Sequence, residues 1–143
     1  MDALKISMSG LDVEWQRLQV IAENLANINT TRTADGGAYQ AKRLVSGPSA
    51  DFQSVLMSSV ARSEMPQGLG VQVMGLEATT TGERRVHEPN HPHADAEGFV
   101  SYPKIDHAGE MAMMIKTSRV YEANLTAISI AQQMYNRALD MGK

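Results

Sequence analysis

Residues 4–25, LKISMSGLDVEWQRLQVIAENL, decide how this chain folds. Leu4, Met8, Leu11, Trp15, Leu18, Ala22 and Leu25 step alternately by four and three. That spacing keeps one side of an α-helix turned toward a partner helix. Ile6, Val13 and Val20 recur every seven residues on the opposite face. A helix that is apolar on two sides is buried on two sides. Either both stripes sink into the core of one ordinary domain, or one meets the chain's own mate and the other a neighbouring molecule. The spacing leaves both open.

The far end of the chain repeats the pattern. Met114, Tyr121, Leu125, Ile128, Tyr135 and Leu139 hold one register, with Ser118 and Gln132 in its polar gaps. Met113, Val120, Ala127, Met134 and Met141 form the opposite stripe. The five prolines all lie between the two segments, which is what uninterrupted helices require. The spacing predicts helices over about 2–27 and from about 108–110 to near Gly142, pairing as a coiled-coil hairpin. Gly10 interrupts the first at a cost of about 1 kcal/mol relative to Ala, and so marks a kink or a close approach. Glu110 suits the start of the second helix, and Arg137 and Lys143 suit its end.

Between them the rules change. Leu69, Val71, Val73 and Leu76 are set off by glycines, and Phe99, Val100 and Tyr102 follow Gly98 and stop at Pro103, as strands do. Phe52 to Met57 reads equally as a short strand or a helical turn. Asn27, Asn29, Thr30 and Thr31, then Asp35-Gly36-Gly37, supply turn chemistry after the first helix. The expected fold is mainly α with a small β region: residues 1–31 and 105–143 form the helical part, and 32–104 a central loop and β segment.

Composition narrows the function. Net charge is −3 over 143 residues, against a partner made of phosphate backbone. Lys42-Arg43 and Arg84-Arg85 are isolated pairs with acidic neighbours and read as solvated positions. The helices carry about −2 and +1, a difference that favours pairing but is worth little, since exposed ion pairs contribute about 0–1 kcal/mol each. There is no Cys, and so neither a disulfide nor a thiolate metal site. No run is long enough to insert directly into a membrane, and the N-terminus lacks the basic and apolar regions of a cleaved secretory signal. Ten Met residues are many for this length; their flexible side chains suit irregular contacts or plain core filling.

Catalytic chemistry has no visible seat. Gly68-Leu69-Gly70 lacks the third glycine of a dinucleotide fingerprint, and no Gly-Lys-Ser/Thr or Gly-x-Ser-x-Gly occurs. His87, His91 and His93 with Glu88 and Asp95 are the densest set of metal-type ligands. Pro89 and Pro92 break any regular spacing among them, which favours ordinary hydrogen-bonding loop histidines. No metal and no cofactor are expected.

One segment carries a resemblance. Ala22-Glu23-Asn24-Leu25-Ala26-Asn27-Ile28-Asn29-Thr30-Thr31 resembles the signature that closes the first helix of flagellar axial proteins. The longer version here, running through Arg32-Thr33-Ala34-Asp35-Gly36-Gly37-Ala38 to Tyr39, is similar to that of the proximal-rod members. Glu88-Pro89-Asn90-His91-Pro92-His93-Ala94-Asp95-Ala96-Glu97-Gly98-Phe99-Val100-Ser101-Tyr102-Pro103 agrees, as do Glu110-Met111 and Ser118-Arg119-x-Tyr121-x-Ala123-Asn124. Lys104 stands where Asn is expected and Ala38 where Pro is usual.

The resemblance implies a structural subunit of the bacterial flagellar basal-body rod, passing torque across the periplasm for motility. It implies export through the flagellar type III apparatus without a cleaved signal. It implies partners in other copies of itself and in the axial proteins FlgB, FlgF, FlgG and FliE. The assembly interface would comprise the helix seams and the motif residues, so that Asn24, Ala26, Asn27, Thr30, Tyr39, Arg119 and Asn124 join the apolar positions above. The alternatives are another rod or hook subunit of the same superfamily, or a helical adaptor that does not polymerise.

Overall fold

A computed structural model describes residues 2–49, 70–79 and 82–142. Phe52 to Met57, Gly68 and Leu69 lie outside the described residues. The fold is mainly α with a small β region. Helix α1 runs Asp2–Ala26 and helix α2 His107–Met141, with strands β1 Lys42–Pro48, β2 Val71–Ala78, β3 Glu83–His87 and β4 Phe99–Pro103 between them. Both helix boundaries fall within a few residues of the spacing's prediction. Neither helix is long and apolar enough to cross a membrane.

The strands form two separate pairs, β1 with β2 and β3 with β4. The Ala41 carbonyl accepts from the Thr79 N–H at one end of the first pair, and the Gly70 carbonyl from the Ser49 N–H at the other. That pair is therefore antiparallel. So is the second, with Glu83 opposite Pro103 and His87 opposite Phe99. Neither β1 nor β3 is expected from the sequence, because Lys42-Arg43 and Arg84-Arg85 interrupt their apolar pattern.

The β3–β4 connection is organised by Asp95. Its Oδ1 accepts from the Glu97 and Phe99 backbone N–H groups at 2.9 and 2.8 Å, and its Oδ2 from Arg85 at 2.6 Å. The Phe99 amide, with help from Arg85, holds the Asp95 carboxyl below its usual range. Gly98 turns the chain into β4 with φ +79°, where a Cβ would come 3.2 Å from both His87 Nε2 and the Pro89 Cβ. Gly98→Ala is expected to cost about 1–2 kcal/mol through left-handed strain alone, read as a lower thermal midpoint.

The described residues fall into two compact units. One holds the described residues of 2–16, 45–49, 70–75 and 117–142. Within it the Trp15 and Tyr121 rings lie 6.4 Å apart, and the Ser9 hydroxyl accepts from the Val71 N–H at 3.0 Å. Gly10 allows a close approach, since a Cβ there would sit 3.2 Å from the Asn124 amide nitrogen. The other unit holds residues 17–44 and 76–116. It contains most of the buried apolar side chains: Val20, Ile21, Ala38, Tyr39, Ala41 and Val100.

Candidate assembly interface

Among the described residues, Asn24 uses every hydrogen-bonding position of its side chain and is 1% exposed on the last turns of α1. Its Nδ2 donates to the Lys42 carbonyl at 2.9 Å and to Glu110 Oε2 at 3.2 Å. Its Oδ1 accepts from the Tyr39 hydroxyl and from the Lys42 backbone N–H, both at 3.0 Å. An amide side chain has two donors and two acceptor lone pairs, and all are used. Toward Lys42 it behaves as a peptide group, offering both halves of a ladder rung to the first residue of β1. A helix residue thus starts a strand.

The surroundings follow from that bond set. Glu110, in the first turn of α2, is 6% exposed and also takes Arg43 at 3.5 Å. Burying a carboxylate is costly without such partners, and here an amide and a guanidinium provide them. Asp106 caps α2, its Oδ1 accepting from the Ala108 N–H at 3.1 Å. Asn27 continues the turn: its Nδ2 donates to the Glu23 carbonyl and its Oδ1 accepts from the Thr30 hydroxyl. The Tyr39 N–H then donates to the Thr30 carbonyl, closing the 30–39 loop beside Asn24.

The basic pairs are solvated, as read, and are partnered as well. Lys42 Nζ meets Glu23 at 2.9 Å; Arg85 meets Asp95 and lies over Phe99, and Arg84 lies over Tyr102. The ends of β1 and β3 bring these cations within reach of acids and ring faces remote or displaced in sequence, which adjacency along the chain does not reveal. Three of the four histidines make hydrogen bonds or ring contacts. His93 shares a hydrogen bond with Thr31 at 2.8 Å, His91 Nδ1 accepts from the His93 N–H, and His87 packs edge-on to Phe99.

Burial, first of all, and then the Glu23 and Glu110 charges push the Tyr39 phenol from 10.0 up to about 12. Because the folded value is raised, the contribution is complete below pH 10 and is lost as pH climbs from 10 toward 12. An absorbance titration of the phenolate should show Tyr39 ionising last, and Tyr39→Phe should delete that step and flatten stability across the same window.

In the single chain the buried strip of α1 draws on the second stripe and on polar positions. Gly10, Val13, Glu14, Val20, Ile21 and Asn24 are buried. Leu4, Leu11, Leu18 and Leu25 flank them half-buried, while Met8 and Trp15 are 58% and 53% exposed and Ala22 and Ala26 face out. Of the opposite stripe, Val13 and Val20 point in and Ile6 is exposed. Asn27 and Thr30 are half-buried and Tyr39 is buried. On α2 the covered positions are Gly109, Glu110, Met113, Met114, Thr117, Ser118, Tyr121, Asn124, Ile128 and Ala131. Met114, Tyr121 and Ile128 were expected there. Ser118 is half-buried, but Leu125 and Gln132 turn outward, replaced by the polar or small Thr117, Asn124 and Ala131. Arg119, Met134, Tyr135 and Leu139 are exposed, as is every residue from Gln132 to Gly142.

The chain thus has two terminal helices, each with large apolar side chains exposed, joined by a small β segment. Residues 4–32 match the family described as flagella basal body rod protein, and residues 96–141 the flagellar basal body rod FlgEFG protein C-terminal family. These matches cover α1 with its Asn24 turn, and β4 with α2. The chain is 33% identical to flagellar basal-body rod protein FlgC of Bacillus subtilis, over 99% of this chain and 97% of that one. It is 31% identical to FlgC of Borreliella burgdorferi, over 96% and 93%, and 32% to FlgC of Aquifex aeolicus, over 99% and 96%. The chain belongs to the FlgC family of flagellar basal-body rod proteins. It is a structural component of the rod and not an enzyme.

Proposed function

We propose that this chain is a subunit of the proximal rod and transmits torque across the periplasm. Its helical part, 1–31 and 105–143, pairs as a coiled-coil hairpin on the inner side of the tube, and 32–104 faces outward. It reaches its place through the flagellar type III export apparatus without a cleaved signal, and meets further copies of itself together with FlgB, FlgF, FlgG and FliE. The observation that carries the assembly reading is the exposed apolar surface on α2: Leu125 46%, Ile130 52%, Met134 66%, Tyr135 59% and Leu139 54%. A helix covered by water alone has no reason to keep five large apolar groups around about four turns, whereas one covered by neighbouring subunits does. Gly10 opposite Asn124 and Trp15 beside Tyr121 support the pairing of the two helices.

The test is complementation in the source bacterium lacking this gene. Full-length rods in isolated basal bodies, with the protein present in them by immunolabelling, are expected on supplying the intact chain. Rods that complete without it would remove the reading.

A further inference from the structure

The first turns of α2, the residues before them and the start of β1 enclose an open cleft of about 710 Å³ with a floor of Ala41, Ile105, Ala112 and Met113. The acids on its wall are already engaged: Asp106 caps α2, and Glu110 holds Asn24 and Arg43. Lys104 and Lys116 also line it, are exposed, and have no partner among the described residues. The start of α2 adds the positive end of its dipole. The cleft is therefore apolar below and cationic at the rim, which is the complement of an acid-bearing apolar helix.

The chain displays one such face itself. Met8, Asp12 and Trp15 lie along one side of α1 at i, i+4 and i+7; all three are exposed, and no cation stands one turn from Asp12 on that side. Tryptophan is the side chain most often found as an interface anchor. Other exposed turns fit less well. Leu139 and Met141 are two residues apart and do not share a face, and the Glu122–Leu125 turn has Arg119 one turn away to cancel its charge. We propose that the Lys104–Lys116 cleft receives the Asp12–Trp15 turn of a second copy of this chain. The inference rests on the assembly reading above and gives it a specific contact.

The chain has no Cys, so cross-linking can report the contact. Asp12→Cys and Lys116→Cys chains, prepared separately and mixed under mild oxidation, should form a heterodimer about tenfold faster than Asp12→Cys with a Glu97→Cys control. Adding Trp15→Ala to the Asp12→Cys chain should abolish the advantage, with helicity by circular dichroism unchanged. Rates equal to the control, or an advantage that survives Trp15→Ala, would overturn the proposal. So would a concentration-independent disulfide in a chain carrying both Cys substitutions, which would make the chain's own α1 the occupant. Normal basal bodies with Asp12→Lys would remove this contact and leave the rod reading standing, whereas absence of the intact chain from basal bodies would remove the rod reading itself.

Discussion

Asn24→Ala is expected to lower the unfolding free energy by about 3–5 kcal/mol, because it strands several buried groups at once. The Tyr39 hydroxyl, the Lys42 N–H and carbonyl, and the Glu110 carboxylate all lose a partner held between 2.9 and 3.2 Å. Each unsatisfied buried group costs about 1–3 kcal/mol, and shared relaxation keeps the sum below simple addition. Denaturant unfolding of the purified chain measures this. Asn24→Asp separates the causes: it keeps an acceptor for Tyr39 and the Lys42 N–H but sets a carboxylate against Glu110. Adding Glu110→Gln should recover more stability in Asn24→Asp than in Asn24→Ala, since only the former sets a second carboxylate against that position. Equal recovery in both variants would refute the assigned role of Glu110.

Leu125→Asp is expected to abolish swimming while leaving the isolated chain folded. Leu125 is 46% exposed, so the lost burial and the poorer helix propensity together cost the monomer about 1 kcal/mol. In an apolar contact between subunits the same carboxylate would be desolvated without a partner, which costs several kcal/mol at every repeat of the contact. Soft-agar motility should therefore be lost and basal-body rods missing, with unfolding near that of the parent. His91→Ala is the matched control. It removes one hydrogen bond, from the His93 N–H at 3.1 Å, and should swim nearly as well as the parent. Normal motility with Leu125→Asp would overturn the role given to this face of α2.

The terminal helices were legible because their apolar residues recur at about 3.5 positions and every proline lies between them. The side of each helix that turns inward was not. Its strip carries Gly10, Glu14 and Asn24 on α1, and Glu110, Thr117 and Asn124 on α2. A count of apolar residues passes over such positions, since a polar side chain is buried only where its partners converge, and those partners lie up to 86 residues away. The same blindness hid β1 and β3. Lys42-Arg43 and Arg84-Arg85 are surface residues, as they look, but their partners Glu23, Glu110, Asp95, Phe99 and Tyr102 come beside them only in the fold. The Asn24 motif marked the right place for family reasons, but its four bonds, and the part played by Lys42 and Glu110, needed the geometry.

The way Asn24 grips Lys42 also bears on mechanics. Apolar surfaces attract without regard to direction and can slide past one another at little expense, while a hydrogen bond weakens steeply once its atoms leave alignment. A pull along α1 would meet slippage at Val20 and Ile21 but stiff resistance at the Asn24 rung. The join between this helix and its strand is thus rigid against shear over a fraction of an ångström, and would yield abruptly, not by creeping, beyond it.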